Sequence, residues 1–382
     1  MKRLTLICHY DTILPENRLR KRFSIKIVPT LVKQMKRVTI NDVALRSGVS
    51  KSTVSHVINQ TRFVEDQTKQ KVLQAINELN YRPSSIARSL VSQRTATAGL
   101  LISDVGNPFY HDVILGVEEV ALTNGYSTFL CNTGYDIDRG MKFIHSLVDR
   151  SVDGVLLMSS NMNIDMIEEV HSNSIQSVVL DWDGANVSGM AATITIDFNT
   201  GICEAVQHLV ELGHKRIAFA GGPTNLWTAQ VRKHAFLSAT QSCQPEIIPI
   251  ILQEGNLRIE GGHQAFEALV QLSPRPSAVI AANDLTALGI MWAARNAGYQ
   301  LPEDLSVIGL DDIDLASRVT PTLTTIALPR FEIGRLAMDT LLSLIKKPSQ
   351  PKTNLMVATH LIIRESTTLA PKNQIGADLR LQ

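Results

Sequence analysis

From Thr97 onward, short aliphatic runs alternate with amphipathic stretches of helical period, and the alternation passes through two successive sets. The first set reads as strands over 99–105, 126–132, 154–158 and 177–181, with helices over 109–124 and 139–150. The second reads as helices over 201–212, 257–272 and 285–297, with strands over 216–220, 278–282 and 305–310. Gly125, Gly213 and Gly298 end three of these helices, as expected where the chain must turn left-handed to leave a helix. Aliphatic strands alternating with helices predict an α/β body of doubly wound parallel sheets. Two sets predict two lobes, with a ligand cleft between them at the carboxyl ends of the strands.

The chain has 382 residues, 44% of them apolar and 19% charged, enough to bury a sizeable core in two or three domains. Long disorder does not fit that composition. No run approaches the roughly 20 apolar residues of a membrane span. The four cysteines (Cys8, Cys131, Cys203, Cys243) lie far apart and form no CxxC pair. That spacing argues against a disulfide scaffold, a zinc ribbon or any other metal site, and fits a reducing compartment. The net charge of +1 conceals an asymmetry: residues 1–94 carry 18 Lys+Arg against 6 Asp+Glu, and the remainder 19 against 30. A basic head on an acidic body predicts that the head binds a polyanion.

Residues 1–35 form a basic leader without capping or amphipathic logic, and they do not match a secretory signal. Met35 directly precedes the first ordered pattern, so it reads as the native start. A basic arm making nonspecific phosphate contacts is the alternative. Residues 36–82 carry the strongest local signal. Asn41 is placed to cap a short helix with Val43 and Ala44 inward, Gly48 supplies a tight turn, and Val49 packs behind it. Ser50 caps a second helix with Val54, Val57 and Ile58 on its buried stripe. A third runs from about 65 to 79, with Val72, Leu73, Ile76 and Leu79 inward. Two short helices joined by a glycine turn make a helix-turn-helix, whose second helix enters the major groove of DNA. Lys51, Ser52 and His56 sit on the outward side of that helix and can donate hydrogen bonds to base edges. Thr39, Ser50, Thr53, Arg62 and Lys69 are the candidates for phosphate contact, with Lys71 beside them.

The segment 83–96 then places a proline stop, a serine cap and one short helix with Ile86, Ala87 and Leu90 on a stripe, too short to be stable undocked. The patterns DVAxxxGVSxxTVSxVIN and YxPSxxARSL resemble the LacI-type (lactose/galactose repressor) family of bacterial transcription regulators. His56 and the run Thr61-Arg62-Phe63-Val64 are most similar to its purine- and ribose-repressor branch. The resemblance runs from about Val38 to Ser366. It implies a small all-α head plus hinge helix, then a two-lobed periplasmic-binding-protein-like body. It further implies a homodimer on near-palindromic double-stranded operator DNA, in the bacterial cytoplasm at the nucleoid. In that family Leu90 would wedge into the minor groove, with Ala87 at the close approach of two hinge helices and Arg88 beside them.

Polar residues cluster at the predicted strand ends: Ser103-Asp104, Asn132-Thr133, Asp181-Trp182-Asp183, Asn283-Asp284 and Asp311-Asp312. A helix cap explains any one of them. Five converging on one cleft suit a hydroxyl-rich ligand. The turn Gly221-Gly222-Pro223 lacks a phosphate-loop pattern and serves to bring Trp227, Thr228 and Arg232 to the cleft. The resemblance places Arg232 on effector oxygens, Asp311 opposite it, Thr228 and Asn283 in support, and Asn107-Pro108-Phe109-Tyr110 along the first-lobe wall. The purine branch has an arginine where this chain has Leu226 and a stacking phenylalanine where it has Leu257, which argues against a purine. Leu328 replaces a usual glutamine, which argues against ribose-like behaviour as well, although Trp227 offers a sugar ring a stacking face. The expected effector is a small sugar or sugar derivative, with no cofactor. An enzyme or a solute-binding protein of similar fold is the alternative. However, G-x-S-x-G and HExxH are both missing, and His208 and His214 have a helix-terminal explanation. The body is expected to span 97–366, followed by a flexible tail over 367–382 without leucine heptads.

Overall fold

The computed structural model describes residues 38–59, 62–82, 94–181, 187, 189–243, 246–252 and 255–371. The expected leader, the hinge residues Ala87, Arg88 and Leu90, and Trp182-Asp183 lie outside the described residues. The chain divides into two compact units, Met1–Arg88 and Ser89–Gln382.

In the first unit, α1 (Ile40–Ser47), α2 (Lys51–Asn59) and α3 (Asp66–Glu78) close around Val43, Val54, Val57, Val72 and Ala75. Two details differ from the sequence reading. The cap of α1 is Thr39 rather than Asn41: Thr39 Oγ1 accepts from Asp42 N, and the Asp42 carboxylate accepts from Thr39 N at 2.8 Å. This reciprocal capping box satisfies two helix-end donors at once, which Asn41 inside the first turn could not do. Leu73 is exposed, and Ala75, three positions on from Val72 along the helix, is buried with it instead. Gly48, at φ +70, ends α1 as expected.

The second unit is the two-lobed α/β body. Lobe 1 is built on β1 (Thr97–Ile102), α4 (Phe109–Thr123), β2 (Ser127–Asn132), α5 (Ile137–Asp149), β3 (Gly154–Met158), α6 (Ile164–Ser172), β4 (Gln176–Leu180) and β5 (Ala192–Asp197). The chain then crosses into lobe 2 through α7 (Phe198–Glu211), β6 (Arg216–Ala220), α8 (Trp227–Gln241), β7 (Ile248–Ile251) and α9 (Ile259–Val270). It continues with β8 (Ala278–Ala281), α10 (Asp284–Asn296), β9 (Ser306–Asp311), a 3₁₀ turn at Asp314–Ser317 and β10 (Thr324–Ala327). It returns through α11 (Arg330–Lys346) to β11 (Asn354–Ala358) in lobe 1, and ends with β12 (His360–Ile362) in lobe 2. The sheet orders are β11-β5-β4-β3-β1-β2 and β12-β10-β9-β8-β6-β7. Every neighbouring pair is parallel except β10 with β12.

The chain therefore passes between the lobes three times, and hydrogen bonds knit the passages together. Thr359 Oγ1 donates to Asp197 O at 2.7 Å and accepts from Gly201 N at 3.1 Å. The ordered body also extends past the expected boundary at Ser366. Ser306 Oγ accepts from Thr368 N, and Ala370 N donates to Leu212 O at 2.8 Å. Buried His214 bridges Ser277 Oγ and Thr368 O, and His208 Nε2 lies 3.0 Å from Thr367 Oγ1. The two histidines thus fasten residues 367–370 rather than merely finishing a helix, and 367–371 belongs to the body rather than to a flexible tail.

Helix α11 crosses α4 at a point where both helices present glycine. A Cβ on Gly334 would collide with Val113 O, and one on Gly116 with Phe331 O. Backbone carbonyls cannot swing aside as side chains do. Gly334→Ala is therefore expected to cost about 1–3 kcal/mol or more in denaturant unfolding, whatever it gains in helix propensity. An unchanged midpoint would show that the two helices are not keyed there.

Candidate functional site

The carboxyl ends of both sheets face a cavity of about 520 Å³, its mouth included. Seven of the expected effector residues line it: Phe109 and Tyr110 from the start of α4, Asp181 after β4, Thr228 and Arg232 from the first turns of α8, Asn283 after β8, and Asp311 at the end of β9. Four others do different work. Ser103 is buried behind Tyr110, accepting from its hydroxyl at 3.1 Å and from Ser160 N at 2.7 Å, so it steadies the wall. Asp104 is engaged by Arg258 at 2.5 Å in an ion pair across the cleft mouth. Asn132 accepts from Val105 N and holds a loop. Trp227 is 42% exposed and does not line the cavity, because as the first residue of α8 it points away from the side that carries Thr228 and Arg232.

Asn283 lines the cavity while its polar atoms are spent on structure. Its Oδ1 caps α10 by accepting from Thr286 N, and its Nδ2 donates to Leu257 O at 2.9 Å. Asp284 is consumed likewise, accepting from Thr325 Oγ1 and from Ile313 N at 2.7 Å. Both are strand-end residues for which the helix-cap or turn explanation suffices.

The sequence reading missed Tyr135, Met158, Ser159, Ser160, Leu180 and Ile196. Ser159-Ser160 follow the strand 154–158, so the polar-strand-end signal was present there. Ile196 lies on β5, a strand whose mixed Thr/Ile pattern was not read. Tyr135 comes from a loop, with φ +60, and carried no signal.

Arg232 organises the charge. Its Nη1 donates to Ala282 O at 2.7 Å and its guanidinium lies 4.6 Å over the Phe198 ring. Among the described residues, Arg232 Nε and Asp311 Oδ1 are buried without a hydrogen-bond partner. Burial pushes the Asp311 carboxyl up to about 7, helped by repulsion from Asp284 and opposed by the charges of Arg232 and Arg330. Burial likewise takes Asp181 to about 6 against the pull of Arg232 and a hydrogen bond from the Ile196 backbone. Asp181, Leu257, Asp311 and Asp312 all hold positive φ (+53, +59, +119 and +54), a strained conformation for side-chain-bearing residues that clusters at binding sites.

In the head, Ser50 Oγ caps α2 by accepting from Thr53 N at 3.1 Å and also lies 2.7 Å from Ser52 Oγ and 2.9 Å from Thr53 Oγ1. Lys51 and Ser52 are exposed and His56 half-buried on the same helix, while Arg62, Lys69 and Lys71 are exposed nearby. Thr39 is occupied by the α1 capping box. No group of three or more His, Cys, Asp or Glu among the described residues could hold a metal, and no helix among them is long and apolar enough to cross a membrane.

A helix-turn-helix head joined to a two-lobed body with a polar cleft defines an allosteric DNA-binding regulator. Residues 39–84 match the model of bacterial regulatory proteins of the lacI family, and residues 206–367 match that of the periplasmic binding protein-like domain. The ribose operon repressor of Escherichia coli (strain K12) is 39% identical over 86% of this chain and 99% of its own length. The HTH-type transcriptional repressor PurR of Vibrio vulnificus (strain CMCP6) is 36% identical over 86% and 98%. A solved lac repressor dimer, bound to operator and the anti-inducer ONPF, superposes with a TM-score of 0.79 at 28% identity, covering 87% of this chain and 100% of that one. The chain belongs to the LacI family of transcriptional regulators.

The Asp311 carboxyl makes a checkable contribution to stability. Its folded pKa of about 7 lies above the unfolded value near 3.9, so between those pH values the native state retains a proton that the unfolded chain has released. That contribution to stability falls as pH rises through the window. Asp311→Asn should therefore gain stability relative to wild type progressively from about pH 4 to pH 7, measured by urea unfolding. A pH-independent difference would mean that Asp311 is not held protonated.

Proposed function

We propose that this regulator is a homodimeric repressor of a metabolic operon, bound to a near-palindromic operator and controlled by a small neutral sugar in the interlobe cleft. The observation that carries the effector class is the buried, unpartnered pair Arg232 Nε and Asp311 Oδ1 in a cavity that also holds Asp181. A sugar hydroxyl both donates and accepts, so one ring answers both orphaned groups. An anionic ligand would face two carboxylates for one guanidinium. A purine finds Leu226 buried at the α8 cap and Leu257 on the wall, neither of which donates or stacks. The relative named for a ribose operon makes a pentose the first candidate. Arg232 and Asp311 are assigned to sugar hydroxyls, Thr228, Asp181 and Tyr110 to the remaining polar wall, and Phe109 to its apolar side.

On the DNA side, Lys51, Ser52 and His56 are assigned to base edges, and Ser50, Thr53, Arg62 and Lys69 to phosphates. Residues 83–96 serve as the hinge, with Ala87, Arg88 and Leu90 at the minor groove, and a cytoplasmic, nucleoid-bound location follows from the target. The repressors among the chain's relatives favour a regulatory over a catalytic role.

Thermal unfolding against D-ribose, other neutral monosaccharides, nucleosides and sugar phosphates tests the effector class. A neutral monosaccharide near 100 times its Kd should stabilise by about 2.7 kcal/mol. Stabilisation by a nucleoside or a sugar phosphate alone overturns the reading. Arg232→Ala should abolish the shift and leave operator binding intact. A hydroxyl donated to Asp311 favours its ionised form, so affinity should rise as pH increases through 6–7, and Asp311→Asn should lose that dependence. For the head, His56→Ala should relax preference at one base pair by about 1–3 kcal/mol in operator-variant binding, with an unchanged profile assigning that position to another side chain.

A further inference from the structure

We infer that α11 is the rod by which the state of the cleft reaches the point where the head is tethered, an inference that rests on reading the cleft as the effector site. At its first residue, Arg330 spreads one guanidinium across both lobes. Nε and Nη2 donate to Asp112 Oδ2 on α4, at 2.9 and 2.5 Å, and Nη1 donates to the carbonyls of Asp311 and Asp312 at the end of β9. The group is 10% exposed. Burial alone would raise the Asp112 carboxyl, but hydrogen bonds from His111 and Arg330, with the Arg330 charge, outweigh it and hold it below the usual range. The fork therefore grips lobe 1 by a charged bond and lobe 2 by backbone carbonyls. Those carbonyls belong to the same strained residues, φ +119 and +54, whose first member turns its carboxylate into the cavity. A ligand that engages Asp311 acts on the segment that Arg330 holds.

At the other end of the helix, Ile345 O accepts from Arg94 Nη2 at 2.9 Å. Arg94 is the first described residue after 83–93, the covalent connection to the head. The next residues are pinned as well: the Asp153 carboxylate accepts from Thr95 N at 2.8 Å, from Thr95 Oγ1 at 3.0 Å and from Ala96 N at 3.1 Å. Between its two ends α11 runs 17 residues, about 25 Å. Its interlock with α4 through Gly116 and Gly334 and its buried stripe of Ile333, Met338, Leu341 and Leu344 seat it on lobe 1 along its length. A displacement imposed at Arg330 therefore reaches Ile345 by a shift of α11 as one piece with α4. Arg330 and Arg94 act as positioning residues: neither needs to touch effector or a base edge to set how the tether leaves the body.

A double-mutant cycle on operator binding tests this in the full-length chain without any effector. The probes are an operator duplex recovered by the wild type from a random-sequence library, and a random-sequence duplex at the same salt. Arg330→Gln and Arg94→Gln should each change operator affinity by about five-fold or more, and the double variant by no more than the larger single change, because both cut one path. Their effects on the thermal midpoint should simply add, as for sites this far apart. Multiplicative effects on operator affinity, no effect of either single change, or an equal loss on the random duplex would each overturn the rod. If Arg330→Gln does not fold, Arg330→Lys and Asp112→Asn take its place in the cycle. A failed sugar screen would remove the effector reading and leave this cycle to be judged by itself; a failed cycle would leave the cleft's ligand untouched.

Discussion

Three chain passages between the sheets constrain everything else in the body. Because β5 leads into α7, β10 into α11 and β11 into β12, neither lobe can turn without moving all three, and Thr359 ties two of them with paired hydrogen bonds. The passages hold the carboxyl ends of two parallel sheets face to face, where backbone groups and short loops can be aimed at a ligand. They also couple any relative motion of the lobes to all three passages. The ion pair of Asp104 with Arg258 at the mouth and the Arg330 fork near the second passage are the side-chain links that such a motion must strain or release.

Within the cleft, electrostatics decides more than shape. Two carboxylates lose most of their hydration there and are only partly compensated by one guanidinium, which itself leans on Phe198. Buried charge in this state is costly and is relieved either by protonation, as the raised pKa values show, or by a partner with both donors and acceptors. On the proposed reading, a polyol is such a partner. On the same reading, a flat purine ring would lack the stacking and donor groups where Leu257 and Leu226 stand.

Much of the fold was legible because its signals are local. Strands 154–158 and 216–220 were readable to the residue from their aliphatic runs, and the glycine-closed helices to within a few positions. The elements that carry the lobe crossings were not. Strand β5 is Thr-rich, β11 alternates at a sheet edge, and α11 looks like any amphipathic helix until it is known to return to the first lobe. In the cleft, Arg232, Asp311 and Asp181 stood out by residue type. Asn283 looked equivalent and proved to be a cap, since a strand-end asparagine has the same sequence signature whether its amide faces a ligand or a helix end. Tyr135 and the Arg330 fork depend on contacts between distant segments, with Arg330 reaching Asp112 across more than 200 positions, and no local pattern announces such a contact.

The sheet orders also bear on how the molecule comes into being. One outer strand of the first sheet is β11 and one of the second is β12, and Ser366 to Ala370 are stitched beneath β9 and the end of α7. Neither lobe is a contiguous stretch of polypeptide. During synthesis all residues of the three-helix head are made long before the body is complete, whereas both sheets wait for residues beyond 354. For an interval on the ribosome, the DNA-reading module exists without the apparatus that regulates it.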